Sequence, residues 1–172
     1  GEADGFVARL PAGGNAVSWA TYVGGTGGPV GDRVDALALD AGGNVLVAGR
    51  TDSTTGFPVT AGAPFGVFRG GDFDAFVARV AAGGAAFTYG TYLGGDSNDA
   101  AFGIAVDSAG SAYVTGYTAN GIAPSYPTLN AYDATFNGGN DAVVTKLNVT
   151  GSALVYSTFL GGWGSDTIDD DN

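Results

Sequence analysis

The chain contains no cysteine, no histidine and no methionine, and its one lysine is Lys146. Those absences exclude disulfide staples, thiol and Ser-His-Asp chemistry, and zinc sites built on Cys or His. Cations are scarce: six Lys plus Arg stand against seventeen acids, for a net charge of −11. Nucleic acid is therefore a poor partner, because phosphate binding needs clustered positive charge. Glutamate is nearly missing too, Glu2 being the single one, so sixteen of the acids are Asp. Aspartate favours turns, caps and oxygen-ligand loops over helix interiors, which argues against a helical protein. No apolar run approaches the ~20 residues of a membrane span. The chain opens without Met or a signal-like segment, and the expectation is a processed or excised part of a longer polypeptide.

What is present is glycine and apolar surface. The 172 residues include 32 Gly, are 45% hydrophobic, and are only 13% charged. That is enough apolar surface to offset the ordering entropy of one domain.

Self-comparison is the informative step. Asp4-Gly-Phe-Val-Ala-Arg-Leu10 recurs as Asp74-Ala-Phe-Val-Ala-Arg-Val80 and as Asp141-Ala-Val-Val-Thr-Lys-Leu147. A Gly-containing turn follows each copy. After it, Trp19-Ala-Thr-Tyr-Val-Gly-Gly25 matches Tyr89-Gly-Thr-Tyr-Leu-Gly-Gly95 and Tyr156-Ser-Thr-Phe-Leu-Gly-Gly162. Successive copies are offset by 70 and 67 residues. Two further segments repeat once: 34–40 with 101–107, and 44–51 with 111–118.

Each unit thus carries four short runs rich in Val, Leu, Ala, Tyr and Thr, bounded by Gly, Asn, Asp or Ser, which read as strands. In blade order, first strands lie near 34–40 and 101–107 and second strands near 44–51 and 111–118. Third strands lie near 5–10, 74–80 and 141–147, and fourth strands near 16–23, 86–93 and 153–160, ten in all. Apolar side chains occupy both faces. In the last strand Leu154, Tyr156 and Leu160 point one way while Val155 and Phe159 point the other. A sheet with a wet face would alternate apolar and polar, so these sheets are expected to be covered on both sides, as stacked propeller blades are. A β-sandwich and a parallel β-solenoid are the rival folds.

The combination Asp99…Ile104-Ala-Val-Asp107-Ser-Ala-Gly-Ser-Ala-Tyr-Val-Thr-Gly-Tyr-Thr118, the Phe57-Pro58 and Tyr126-Pro127 elements, Asp74-Ala-Phe-Val-Ala-Arg79 and Tyr89-Gly-Thr-Tyr-Leu-Gly-Gly95 resembles the SBBP repeat. This is a bacterial and archaeal β-propeller repeat whose name refers to seven blades. The resemblance covers nearly the whole chain. It implies a secreted or surface-displayed module within larger proteins, and it brings no catalytic residues. The sequence departs from the pattern at the insertion Gly27-Gly28-Pro29, at Tyr126 and at Thr145-Lys146.

The expected fold is therefore all-β, with four-stranded antiparallel blades and about two and a half repeats. Residues 1–25 form a partial blade, 26–95 and 96–162 form blades, and 163–172 form an acidic tail or the start of a next blade. A single copy does not close a ring, and its open edges invite pairing with neighbouring repeats or with other copies.

Asp32, Asp99 and Asp166 recur at a spacing of 67, each just after a Gly-Gly. With Asp96 and Asn98, and with Asp169, Asp170 and Asp171 near the third copy, they offer hard oxygen donors suited to Ca2+. The alternative is capping of loop N–H groups. Asp40 and Asp107 open hairpins, and Asp4, Asp74 and Asp141 open third strands, where turn chemistry accounts for them. Trp19, Tyr89 and Tyr156 share a position expected to be interblade core. Tyr117, Tyr126 and Tyr132, with Phe57 and Phe65, lie on or beside long connections, where exposed rings could stack on glycans. Arg9, Arg79 and Lys146 share a position where solvation or ion pairing is the default. Asn148-Val-Thr150 is an N-glycosylation sequon, and Thr54 and Thr55 are candidate O-glycan acceptors. Paired carboxylates could in principle hydrolyse glycosides, but these Asp recur at repeated structural positions, so no enzyme is expected. The functional expectation is an extracellular structural or interaction module, with a carbohydrate-binding propeller as the alternative.

Overall fold

The computed structural model describes residues 3–119 and 126–166. Those residues form twelve strands and no helix. In chain order they are β1 (Gly5–Arg9), β2 (Trp19–Val23), β3 (Thr26–Gly27), β4 (Arg33–Leu39), β5 (Val45–Thr51), β6 (Ser53–Thr55), β7 (Asp74–Val80), β8 (Phe87–Leu93), β9 (Asp99–Val106), β10 (Ala112–Ala119), β11 (Asn140–Leu147) and β12 (Leu154–Phe159).

Two four-stranded antiparallel meanders result, β4-β5-β7-β8 and β9-β10-β11-β12, while β1 and β2 pair only with each other. These are the expected ten strands, and the architecture is that of propeller blades, two complete and one halved. The addition is a ribbon of β3 with β6. It lies at the three-residue insertion, where Asp52 Oδ2 accepts the N–H groups of Val30 (2.6 Å) and Gly31 (2.8 Å). The hairpin Asp residues behave as read: Asp40 Oδ1 accepts from Gly42 and Asn44 N–H, both at 2.9 Å, and Asp107 Oδ1 accepts from Ala109 and Ser111.

Alternation along the strands now has a physical meaning. Leu46 and Ala48 of β5, with Ala75 and Val77 of β7, pack toward the second blade, where Ile104 and Val106 of β9 meet them. Their neighbours Val45, Val47, Phe76, Ala78 and Val80 pack the other way, against Val7 and Val23 of the half-blade. Strands β5 and β7 of the middle sheet are thus buried on both faces, as the sequence pattern demands. In the last blade β10 and β11 alternate between buried and half-buried residues, because only one face is covered.

The blades are also locked at their turns. The Trp19 ring of β2 lies over Gly84, and the Tyr89 ring of β8 lies over Gly151, one blade further on. Both glycines have positive φ (73° and 67°) and leave no room for a Cβ. The Trp19 indole also donates to the Ala82 carbonyl at 3.1 Å. The interblade expectation for this aromatic series is met at Trp19 and Tyr89. Tyr156 is half-buried and stacks edge-on to Tyr113 within its own blade.

The long connections cover the outer strands. Thr60 and Phe65 bond to Gly90 and Tyr92 of β8, and Leu129 and Asp133 bond to Ser157 and Phe159 of β12. Each connection is pinned by one ring: Phe57 packs on Phe76 and Tyr92 (5.1 Å each), and Tyr126 packs on Phe159 (6.4 Å). The outer edges, which would otherwise invite strand pairing, are in this way closed.

Candidate functional site

The two Asp series that the sequence displays separately meet in space. After the outer strand of each unit, the second glycine of the Gly-Gly pair donates its N–H to an Asp. Gly25 donates to Asp32 (3.0 Å), Gly95 to Asp99 (2.7 Å) and Gly162 to Asp166 (2.7 Å). Across the first glycine stands the Asp that opens the third strand. A Cβ on Gly94 would lie 2.7 Å from Asp99 Oδ2 and 2.9 Å from Asp74 Oδ1, so only glycine admits both carboxylates. Gly24 sits likewise between Asp4 and Asp32, and Gly161 against Asp141. The resulting pairs Asp4/Asp32, Asp74/Asp99 and Asp141/Asp166 recur unit by unit.

Their environments differ. Asp32 is fully satisfied: besides Gly25 it accepts from the hydroxyls of Thr51 and Ser53. Asp74 and Asp99 are completely buried, and Asp74 Oδ1 has no hydrogen-bond partner. Burial raises the Asp74 carboxyl to about 8, the Arg69 N–H opposing and the neighbouring Asp99 reinforcing the shift. Burial raises Asp99 to about 7 against the opposing bonds from Thr118 and Gly95. Two buried like charges this close do not both ionise readily, so the pair holds a proton at neutral pH. Asp141 is also raised, chiefly by burial.

This geometry decides how the five proposed Ca2+ ligands are placed. Asp32, Asp99 and Asp166 lie on three successive junctions and do not form one cluster. Asn98 is turned to the Asp72 loop, its Oδ1 accepting the Asp72 N–H at 2.6 Å. Asp96 lies beside Asp99 with a buried oxygen that makes no hydrogen bond. Asp169, Asp170 and Asp171 lie outside the described residues. Among the described residues no three His, Cys, Asp or Glu side chains are grouped so as to hold a metal. The Asp series serves as a backbone clasp between one blade and the next.

Of the three proposed stacking rings, Tyr126 is corrected. It is a core residue, buried under the connection, its hydroxyl bonded to Thr145 Oγ1 (3.0 Å) and Thr145 in turn to Ser157 (2.8 Å). The equivalent positions of the preceding blade are Phe57, Ala78 and Gly90, so Tyr126, Thr145 and Ser157 form a hydroxyl chain where that blade has three groups without a hydroxyl. Tyr117 is half-buried and packs against Phe102 at 5.7 Å. Tyr132 is 92% exposed, as is Trp163 at 97%, a ring the sequence reading passed over. Asn148 is half-buried with its amide oxygen accepting the Ser152 backbone N–H (2.9 Å), and Thr54 and Thr55 are exposed on β6.

Residues 88–122 match the family model described as SBBP, beta-propeller repeat. The chain carries an SBBP propeller repeat. The matched stretch runs from β8 through the Gly94-Gly95 clasp to β9 and β10, so the SBBP unit spans one interblade junction together with the strands on either side. No curated protein matches the chain. Among the described residues no helix is long and apolar enough to cross a membrane.

Against this frame the half-blade stands out. Phe6 is 67% exposed where its repeat equivalent Phe76 is fully buried, and Leu10 and Tyr22 are also open. On β4, Leu37 and Leu39 are 61% and 62% exposed, whereas their equivalents on β9, Ile104 and Val106, pack against the middle blade.

Proposed function

We propose that this chain is an extracellular structural and interaction module that acts by continuing its blade stack with further repeats or subunits. The observation that carries the reading is that β5 and β7 of the middle blade are buried on both faces by the units before and after it. Apolar side chains that are core in one unit are surface in another, and large exposed apolar patches mark interaction sites. The partner is a repeat of this type, in an array, a ring or a filament at the cell surface, and the acidic exterior keeps the assembly soluble. The module works by assembly and not by catalysis. The carboxylate pair Asp74 with Asp99 is sealed from any substrate. Ca2+ has no part in this reading.

Sedimentation velocity over a wide concentration range, followed by electron microscopy, tests it. Mass that grows with concentration, seen as rings or fibres, supports the reading. A monomer at every concentration overturns it.

A second reading, glycan binding, is favoured by Tyr132 and Trp163, whose rings are almost wholly exposed. It is checked by titrating oligosaccharides against Trp and Tyr fluorescence. A saturable shift supports it, and a flat titration removes it.

A further inference from the structure

We propose that the cavity between the three-residue insertion and the second-to-third connection of the middle blade binds an alkylammonium group, the amine end of a lysine side chain or of a free amine. The inference goes beyond the assembly reading and does not depend on it, since every wall of the cavity lies within residues 28–72.

The insertion Gly27-Gly28-Pro29 lengthens the path from the Gly-Gly clasp to β4. The stretch entering it pairs with β6, Thr26 facing Thr55 and Gly27 facing Ser53, and Gly27 approaches the Asp52 backbone too closely for a Cβ. Between that loop and the connection lies a cavity of about 250 Å3, walled by Pro29, Val30, Asp52, Thr54, Phe68 and Asp72. This is below the ~300–1,000 Å3 of a site for a whole small molecule, so it fits one end of a ligand.

The walls offer acceptors and a ring. Asp52 is only 3% exposed, and its Oδ2 accepts the N–H groups of Val30 (2.6 Å) and Gly31 (2.8 Å). Its Oδ1 is buried too and has no hydrogen-bond partner, so an acceptor in the cavity wall stands without a donor. A buried oxygen left in that condition is costly, and a bound donor removes the cost. Asp72 is exposed, with Oδ2 accepting from the Asn98 amide at 3.2 Å. Thr54 adds a hydroxyl, and Phe68 a half-buried ring set edge-on to Tyr92 at 6.3 Å. None of the lining residues is a cation. Arg69, next to Phe68 in sequence, stands over the Phe65 ring at 5.5 Å, and the one lysine, Lys146, pairs with Asp107 in the following blade.

That inventory selects the ligand. An alkylammonium group carries three donors and no acceptor, pairs strongly with carboxylates, and is attracted to the face of an aromatic ring. A neutral sugar presents acceptors as well as donors, and no wall side chain carries an N–H to meet them. A divalent cation such as Ca2+ takes six to eight oxygens, whereas Pro29, Val30 and Phe68 make much of this wall apolar and only two carboxylates reach it.

The site also breaks the repeat. The next blade keeps the ring, as Phe136 packed on Phe159. It has Ala119 where Asp52 stands and, counted back from the Asp that opens the third strand, Gly139 where Asp72 stands. The insertion is missing there as well. Residues that merely hold a blade recur, as Asp32, Asp99 and Asp166 do, while both carboxylates of this cavity belong to one blade.

Amide NMR titration of the full chain at low ionic strength tests the proposal. The probes are cadaverine and a blocked tripeptide with lysine between two glycines; the controls are the same peptide with norleucine in place of lysine, and calcium chloride. Saturable shifts of the Val30, Thr54 and Gly71 amides are expected, with a dissociation constant on the order of 1 mM. The norleucine peptide should bind about tenfold more weakly or worse. Both amines carry the same end group: tighter binding of the peptide points to a protein lysine as the occupant, tighter binding of cadaverine to a free amine, and either supports the site. Asp72→Asn should weaken binding about three- to tenfold while melting like the parent, because Asp72 is exposed. Asp52→Asn should weaken it about tenfold, and its amide oxygen can still accept from Val30 and Gly31. If that variant fails to fold, Asp72→Asn alone decides. The inference is overturned by the absence of saturable shifts with either amine, or by a norleucine peptide that binds as well as the lysine one. Ca2+ saturating the same amides at a lower concentration than either amine overturns it too, as does unchanged affinity in Asp72→Asn.

Discussion

The β1–β2 hairpin and the β7–β8 hairpin are nearly the same sequence in two settings. Asp4-Gly-Phe-Val-Ala-Arg and Asp74-Ala-Phe-Val-Ala-Arg differ at one position, yet Phe6 faces solvent and Phe76 is sealed. The difference teaches that a blade's stability does not reside in its own sequence. It comes from the neighbouring sheet that covers each face, as expected of units coupled to nearest neighbours. Every position that can be compared across the repeat is therefore an experiment on the presence of a neighbour.

The largest effect is expected at the phenylalanines. Phe76→Ala should cost about 3–5 kcal/mol of unfolding free energy, and Phe6→Ala in the dilute chain less than about 0.5 kcal/mol, both read by denaturant titration. Equal losses would break the comparison.

Next come the turn glycines. Gly151→Ala forces a Cβ into the Tyr89 ring at positive φ, for an expected loss of about 2–4 kcal/mol. At Gly14, also at positive φ, nothing stands within 4 Å, so Gly14→Ala should cost only the backbone strain of about 1 kcal/mol.

The third effect depends on pH. Asp74 and Asp99 titrate at about 8 and about 7 when folded, far above the ordinary carboxylate value, so the folded chain retains protons that the unfolded chain has lost. Stability is then greatest on the acid side and declines as pH rises through 7 to 8. Asp107 works in the opposite sense at the acid end: its bond from the Ser111 N–H comes first, Lys146 adds to it, and the carboxyl is held at about 2. A maximum in the mildly acidic range follows. Melting should fall by roughly 5 °C between pH 5 and pH 9, and Asp74→Asn should remove much of that slope.

The smallest effect sharpens the comparison at the cations. Arg79→Gln leaves the shielded Asp40 carboxylate without its partner and should cost about 1 kcal/mol, whereas Arg9→Gln should fall within about 0.5 kcal/mol in the dilute chain.

Most of the fold could be read from the sequence because period-2 strands bounded by Gly and Asp were copied at a fixed spacing. Strands β7 and β5 lie within a residue of their expected limits. The β3–β6 ribbon could not be read, since it rests on the approach of Gly27 to Asp52, a contact between segments that carry no strand pattern. The Asp pairs were half visible: both series showed, but their meeting at Gly24, Gly94 and Gly161 is tertiary. Tyr126 was misplaced because a ring on a connection looks like a platform until Thr145 and Ser157, residues apart in sequence, are found to receive its hydroxyl. The exposure of Leu37 left no local trace at all. Leu37 and Ile104 carry the same pattern, and only the sheet beyond them tells them apart.

The central claim is that neighbouring sheets, and not a blade's own sequence, hold a blade together. Hydrogen exchange of β1 against β7 in the same sample, as protein concentration is raised, tests it directly. The account predicts β1 amides that exchange far faster than those of β7 at high dilution and slow toward them as assembly proceeds. A β1 already as protected as β7 in the dilute monomer would contradict it.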